Sequence, residues 1–134
     1  MTRVLGIDLG ERWIGVAVAD TTLRLATPRP EIDLCEGTTT AEALRAVVDS
    51  EPFEALVIGM PYTLRGEVGP QASRVLEVLE ELRRVIQIPI YQMDERLTSK
   101  QAGPETKGRR DSSAAVLILQ SWLDRQDAKK RRAR

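Results

Sequence analysis

The stretch RVLGIDLGERWIGVAVA, residues 3–19, decides the fold of this chain. Its first part, residues 3–8, is an almost continuous apolar run, which is typical of a central strand covered on both faces. Residues 9–12 predict a turn, and residues 13–19 predict a second strand. Gly15 inside that strand either weakens it or marks the close approach of another part of the chain.

The elements that follow extend this hairpin into a larger sheet. A third strand is expected between Leu23 and Ile32, and Pro28 and Pro30 favour an edge position for it. Hydrophobic periodicity then predicts a helix capped within residues 38–40, a strand over 55–59, a helix over 70–86, a strand over 88–91 and a helix over 112–124. Strands separated by helices imply parallel neighbours. The sequence therefore predicts an α/β fold with a mixed five-stranded sheet, in which a three-strand antiparallel meander is followed by two parallel βα units, with helices on both faces.

Length and charge suggest one domain with a basic end. With 134 residues, of which 42% are hydrophobic, the chain has room for one domain with a core of its own. We expect a domain over residues 1–124 and a basic C-terminal tail over residues 125–134, whose net charge is +5 in a chain of zero net charge. A basic arm on an acidic body suits a polyanion partner. A disordered, solubilising end explains the same charges, and composition does not decide between these two interpretations.

Missing residue types narrow the possible chemistry. The chain contains no histidine, which excludes Ser-His-Asp and Cys-His nucleophilic systems and nearly all zinc sites. The single cysteine, Cys35, cannot form an internal disulfide, and we assign it no role. A strand pattern begins directly at residue 3, and no apolar run is long enough to span a bilayer. We therefore expect a cytoplasmic protein with no signal peptide and no membrane partner.

Acidic residues lie where the predicted strands end and where the last helix begins. Asp8 closes the first strand, Asp94 and Glu95 close the last strand, and Asp111 precedes the last helix. The carboxyl ends of parallel strands share one rim of a sheet, so these carboxylates are expected to meet there. Taken singly, each has an ordinary alternative: an Asx turn, a solvated strand end or a helix cap. Together they suit Mg²⁺ or Mn²⁺, and two such ions support in-line hydrolysis of a phosphodiester.

Four blocks carry a resemblance that spans nearly the whole chain. They are DLGERWIGVA at residues 8–17, IGMP at 58–61 with Gly66, DERLTS at 94–99 and DSSAA at 111–115. In sequence and in order these blocks closely resemble the YqgF/RuvX family, which is related to the RuvC Holliday-junction resolvases. The resemblance implies a ribonuclease H-like fold, a divalent-metal nuclease activity and a bacterial cytoplasmic setting. Members of the family are assigned to 5′-end maturation of pre-16S ribosomal RNA, and some are described as Holliday-junction resolvases.

The resemblance also implies roles for individual residues. The catalytic, metal-binding carboxylates of the family fall on Asp8, Glu95 and Asp111, and Asp94 is a further candidate metal ligand. Because neighbours on a strand point to opposite faces, we expect only one residue of the pair 94–95 to face the site. Substrate contacts are expected from residues near these acids, namely Gly10, Arg96, Thr98, Lys107, Arg109 and Arg110.

Some of these contacts have structural alternatives. Gly10 serves equally well as a turn glycine, and Thr98 as a cap of a turn.

One departure from the family concerns substrate choice. Only eleven residues, 100–110, separate Ser99 from Asp111, where we expect family members to carry a longer and partly helical segment. If that segment grips the substrate, its shortening leaves the substrate preference open.

Three functions are compatible with these observations. The leading hypothesis is a metal-dependent nuclease that hydrolyses phosphodiester bonds in structured nucleic acid, with 5′-end processing of pre-16S rRNA as its role. The alternative is a Holliday junction resolvase, which requires a homodimer that presents two sites to opposed strands. A non-catalytic nucleic-acid-binding module, or a nucleotide-binding relative of the actin-like ATPases, is more remote. Aromatic residues make up only 4% of the chain, which favours recognition of backbone and shape over base stacking.

Overall fold

The computed structural model of the protein describes residues 2–34, 37–97 and 112–132, with side chains as far as residue 129. The elements in these ranges follow the predicted order β-β-β-α-β-α-β-α. The strands are β1 (Arg3–Leu9), β2 (Trp13–Asp20), β3 (Ala26–Asp33), β4 (Phe53–Met60) and β5 (Ile90–Asp94). The helices are α1 (Thr40–Ser50), α2 (Pro70–Val85) and α3 (Ser113–Arg132), and a 3₁₀ turn, Glu95–Leu97, follows β5. Cys35 and residues 98–111 lie outside the described ranges.

One sheet contains the five strands in the order β3-β2-β1-β4-β5. The pairs β1–β2 and β2–β3 are antiparallel, whereas β1–β4 and β4–β5 are parallel. The predicted meander followed by two parallel βα units is therefore confirmed. The edge position of β3 agrees with Pro28 and Pro30, because a proline cannot donate a ladder hydrogen bond to a second neighbouring strand.

Apolar layers cover both faces of the sheet, because successive residues of a strand point to opposite sides. On one face, Leu5 and Ile7 of β1 belong to a core that also contains the buried residues of α1 and α2. On the other face, Val4 packs in a second core with Leu119 of α3. Gly6 lies beneath α3, and a Cβ on it would come within 2.7 Å of the Leu119 Cβ. Helices thus lie on both faces, as predicted, and α3 approaches β1 closely.

Local sequence signals set the first turn of α1 and of α2. The Thr39 hydroxyl accepts from the Glu42 N–H at 3.1 Å, while the Glu42 carboxylate accepts from the Thr39 N–H at 3.4 Å. This capping box confirms the cap predicted within residues 38–40. Helix α2 begins at Pro70, whose fixed φ angle suits the first turn of a helix.

Helix α3 is longer than the sequence predicted. It continues to Arg132 rather than ending near Asp124. The added residues 125–132 are mainly lysine, arginine, glutamine and alanine, which are good helix formers, and no glycine or proline interrupts them. Most of the predicted basic tail is therefore a continuation of α3. None of the helices in the described part of the chain has the length and apolar character needed to cross a membrane.

Candidate active site

The carboxyl ends of β1, β4 and β5 meet at one rim of the sheet, where a cleft of about 280 Å³ opens. Asp8 stands near the end of β1, and Glu95 directly follows the end of β5. Both side chains line this cleft, as expected from the parallel arrangement of the strands. The other lining residues belong to the β1–β2 turn, the segment after β4 and helix α2: Leu9, Gly10, Glu11, Pro61, Gln71, Arg74 and Val75.

The electrostatics of the two carboxyl groups show that they interact. Burial raises the pKa of the Asp8 carboxyl above its ordinary value. Burial, then the negative charge of Asp8 and then that of Asp94 raise the pKa of Glu95 from 4.5 to about 7. Partly buried like charges repel one another, and a divalent cation between them relieves that repulsion. The donors are carboxylate oxygens, which hard cations such as Mg²⁺ prefer, so Asp8 and Glu95 fit such an ion.

Several predicted site residues lie outside the described residues. These are Thr98, Lys107, Arg109, Arg110 and the third expected carboxylate, Asp111. Within residues 2–34, 37–97 and 112–132, three or more potential metal ligands do not gather at any one point. Of the predicted catalytic carboxylates, Asp8 and Glu95 are the two in the described part of the chain.

Ser112, the residue after Asp111 in the chain, fixes the start of α3 to the sheet. Its hydroxyl donates to the Arg29 carbonyl at 2.7 Å and accepts from the Val16 N–H at 3.0 Å, and the residue is only 3% exposed. Gly15 pairs with Asp8 across the β1–β2 ladder. A Cβ on Gly15 would lie 3.5 Å from the Asp8 Cβ and 3.7 Å from the Ser112 Cα. The N-terminal end of α3 therefore lies beside the strand pair that carries Asp8, which agrees with the close approach considered for Gly15.

Gly59 lies against the Glu95 carboxylate, a contact that the sequence analysis missed. Gly59 pairs with Met93 in the β4–β5 ladder. A Cβ on Gly59 would come within 3.1 Å of both Cγ and Oε2 of Glu95, and within 2.4 Å of the Ile118 Cδ1. A larger residue at this position must displace the end of the Ile118 side chain and crowd the Glu95 carboxylate. The only sequence signal was the place of Gly59 in the block 58–61.

Asp94 and Glu95 face different partners. The Arg96 guanidinium donates to Asp94 from Nε at 3.1 Å and from Nη2 at 2.6 Å, and the Arg96 backbone N–H donates to Oδ1 at 2.9 Å. The side-chain hydrogen bond with Arg96 is the main cause that lowers the pKa of Asp94. The same guanidinium lies 5.9 Å from the centre of the Tyr62 ring, and a Cβ on Gly66 would come within 3.0 Å of it. Arg96 thus connects the end of β5 to the loop after β4.

Gly10 occupies the turn between β1 and β2, at the edge of the cleft. Its N–H donates to the Trp13 carbonyl at 3.0 Å, and a Cβ on Gly10 would come within 2.5 Å of that same oxygen. The turn therefore requires glycine here, whatever else Gly10 does. Contact between its backbone and the substrate stays a prediction.

Helix α2 forms a wall of the cleft, although its sequence pattern indicated only a buried apolar face. Gln71, Arg74 and Val75 follow the spacing i, i+3, i+4, so they share one side of the helix, and all three line the cleft. The β4–α2 connection leaves the sheet at its carboxyl edge, which places the start of α2 at the same rim. Hydrophobic periodicity identifies the buried side of a helix but does not reveal which polar residues reach a site.

Solved structures show which architecture this is. The chain superposes on Thermus thermophilus RuvC in complex with a Holliday junction substrate with a TM-score of 0.62, covering 95% of this chain and 96% of that chain. A second Thermus thermophilus RuvC structure gives the same TM-score of 0.62. At 14% and 12% sequence identity, these likenesses establish the fold alone. That fold is ribonuclease H-like.

Sequence relatives define the class and then the family. A relative from Roseiflexus sp. (strain RS-1), named "Putative pre-16S rRNA nuclease", is 40% identical to this chain. The alignment covers 92% of this chain and 95% of the relative. A relative of the same name from Acaryochloris marina is 41% identical, with 90% of each chain covered. Fold and relatives together place this chain in a class of ribonuclease H-like proteins whose members are named as nucleases. A model of the RuvX family, described as Holliday junction resolvase, matches residues 2–125. The chain belongs to the RuvX family.

Proposed function

We propose that this protein is a divalent-metal-dependent nuclease that hydrolyses phosphodiester bonds in structured nucleic acid, and that it processes the 5′ end of pre-16S rRNA in the cytoplasm. The observation that carries the proposal is the pairing of Asp8 and Glu95. These residues come from distant parts of the sequence, line one cleft, and are close enough for the charge of Asp8 to raise the pKa of Glu95. The names of the relatives from Roseiflexus and Acaryochloris support the choice of RNA.

In this proposal three carboxylates hold two Mg²⁺ or Mn²⁺ ions, namely those of Asp8, Glu95 and Asp111. The chain has no histidine, so its oxygen donors favour hard cations over zinc. When bound, such ions activate the attacking water and stabilise the leaving oxygen. The inclusion of Asp111 is supported by Ser112, the residue that follows it in the chain. Hydrogen bonds to Val16 and Arg29 hold Ser112 next to Gly15, the ladder partner of Asp8.

Two neighbouring residues, Gly59 and Arg96, shape the surroundings of the Glu95 and Asp94 carboxylates. Gly59 leaves the space that the Glu95 side chain occupies. The Arg96 guanidinium pairs with Asp94, so the negative charge of Asp94 is balanced by a residue of the protein itself. Because the pKa of Glu95 lies at about 7, cation binding near neutral pH must displace a proton from part of the population. Metal affinity should therefore increase as the pH rises through 7.

The assay for this proposal compares the wild-type protein with Asp8→Asn and with the matched control Asp49→Asn, on a 5′-extended 16S rRNA precursor. Asp49 is an exposed carboxylate on α1, remote from the cleft. We expect Asp8→Asn to fold and bind RNA but to cleave at least about a hundredfold more slowly, because catalytic metal ions contribute several kcal/mol to such reactions. The Asp49→Asn variant should cleave like the wild type. Cleavage by Asp8→Asn at the wild-type rate and metal dependence would refute the assignment.

A second candidate function, resolution of Holliday junctions, is favoured by the description of the family model and by the RuvC-like fold. It uses the same hydrolytic site but requires a homodimer that offers two sites to opposed strands. A four-way DNA junction cleaved side by side with the RNA precursor decides between the two substrates. Paired, symmetric nicks in the junction together with a dimeric mass in solution would favour resolution. Binding of both substrates with no cleavage of either would favour a non-catalytic module.

A further inference from the structure

Arg74 is the one basic side chain among the described residues that line the acidic cleft. The same lining contains three acidic residues, Asp8, Glu11 and Glu95. Arg74 lies in the second turn of α2, on the side that also carries Gln71. Its side chain is 40% exposed and lines the cleft, so a ligand in the cleft can contact it.

The contact between Arg74 and Glu11 is too weak to explain the position of the guanidinium. The Nη1 atom of Arg74 lies 3.6 Å from the Glu11 Oε1 atom, which is beyond hydrogen-bond distance. The Glu11 side chain is 91% exposed, and ion pairs in such surroundings contribute little to stability. An incoming anion can therefore replace Glu11 with little loss.

Two other arginines near this rim are held more firmly. Arg96 makes short hydrogen bonds to Asp94, as described above. Arg12 donates to Asp33 from Nε at 3.0 Å and from Nη2 at 3.3 Å, and its guanidinium lies 5.2 Å from the centre of the Trp13 ring. Their guanidinium groups are therefore less easily recruited by a substrate than that of Arg74.

We propose that Arg74 binds a non-bridging phosphate oxygen of the substrate strand next to the phosphodiester that is cut. This inference rests on the proposed nuclease function and adds a residue that positions its substrate. A polyanion that enters a cleft lined with carboxylates is repelled, and the cation that Arg74 contributes to the same lining offsets part of that repulsion. A guanidinium also binds phosphate in a planar, two-point geometry, which orients the strand. The phosphate takes the place of Glu11, whose contact with Arg74 is weak.

Binding is tested in the Asp8→Asn background, so that the nucleic acid remains intact. The probes are a 5′-extended 16S rRNA precursor and a four-way DNA junction. The variants are Arg74→Gln, Arg74→Lys, Glu11→Gln and the control Arg83→Gln, which removes the same charge from the exposed surface of the same helix. Kd is measured in the Asp8→Asn background as a function of salt concentration. The kinetic constants kcat and KM are measured in proteins that retain Asp8. Thermal unfolding verifies that each variant folds.

We expect Arg74→Gln to raise Kd and KM by about tenfold, the usual effect of losing a charge-assisted hydrogen bond. The slope of log Kd against log salt should become smaller by about 0.7 to 0.9, which corresponds to one lost phosphate contact. The Arg74→Lys variant should keep the salt slope but bind the probes more weakly than the wild type. The Glu11→Gln variant should bind them more tightly. The Arg83→Gln variant should change Kd and KM by no more than about twofold.

If Arg74→Gln and Arg83→Gln show the same salt slope and KM while the wild type cleaves, the role of Arg74 is refuted and the nuclease function stands. If the Arg74→Gln variant has a lower kcat but an unchanged salt slope, Arg74 affects the other residues of the active site and does not bind phosphate. That result also refutes the proposal. If the wild-type protein cleaves neither probe with Mg²⁺ or Mn²⁺, the proposed function fails, and this inference fails with it.

Discussion

Replacing Glu95 with glutamine should stabilise the metal-free protein at pH 8 even though it removes cleavage. Burial, the charge of Asp8 and the charge of Asp94 raise the pKa of this carboxyl from 4.5 to about 7 in the folded protein. In the unfolded chain the same carboxyl titrates near its ordinary value. Between these two values the folded protein therefore keeps a proton that the unfolded chain has lost, so stability decreases as the pH rises. The loss is complete above about pH 7, and glutamine avoids it because it carries no charge.

The magnitude follows from the interval between the two pKa values. Moving from 4.5 to about 7 corresponds to at most about 3.4 kcal/mol of destabilisation above pH 7. The Glu95 side chain is only partly buried, so solvent screens part of this effect, and we expect about 1–2 kcal/mol. For a domain of this size, that gain raises Tm by about 3–8 °C.

The measurement is urea and thermal unfolding of wild type, Glu95→Gln and the control Glu80→Gln in EDTA, at pH 4.5 and at pH 8. Glu80 is an exposed carboxylate on α2. The Glu95→Gln variant should exceed the wild type at pH 8, and the difference should nearly vanish at pH 4.5. Excess Mg²⁺ should then stabilise the wild type more than the variant, because the ion binds the folded carboxylates. Equal stability of wild type and Glu95→Gln at pH 8 would refute the reasoning, as would a difference that does not change with pH.

Two further predictions concern residues that shape the site. Gly59→Ala should destabilise the protein by about 1–3 kcal/mol and reduce kcat, because the added Cβ would overlap Ile118 and the Glu95 carboxylate. Unfolding of this variant at the same urea concentration as the wild type would contradict the prediction. Ser112→Ala should cost about 1–3 kcal/mol and weaken metal binding measured by calorimetry, since it leaves the Val16 N–H and the Arg29 carbonyl without this partner. The exposed Ser73→Ala variant is its control, and equal stability of the two variants would argue against the role of Ser112.

The topology of the sheet could be predicted because it depends on local pattern. A continuous apolar run in β1, alternation of helix and strand after β3, and prolines in β3 are each properties of short windows of sequence. Strands joined through helices have few allowed arrangements, so a correct order of elements nearly fixes the sheet. The predicted end of α3 near Asp124 is too early, because the cluster of basic charge after it indicates a tail although lysine and arginine are good helix formers.

Half of the candidate site followed from the same reasoning. The meeting of Asp8 and Glu95 required only that they lie at the carboxyl ends of two parallel strands. The expectation that strand alternation separates residues 94 and 95 does not apply, because β5 ends at Asp94 and Glu95 begins the 3₁₀ turn. The roles of Gly59 and Ser112 did not follow, because each depends on distances between elements that are remote in sequence. The assignments of Asp111, Thr98, Lys107, Arg109 and Arg110 stay predictions, since these residues lie outside the described ranges.

The sequence by itself determined the types and order of the elements, the family resemblance and the carboxylate chemistry, because residue type and spacing carry that information directly. Only the tertiary structure decided which charges are neutralised and which remain available. Arg96 and Asp94 are two residues apart in the chain, and their ion pair depends on the 3₁₀ turn that follows β5. Arg74 reaches the acidic cleft from a helix whose sequence pattern indicates only an apolar face. The physical reason is that electrostatic energy depends on distance in space and on burial, and neither quantity is set until the helices have packed on the sheet.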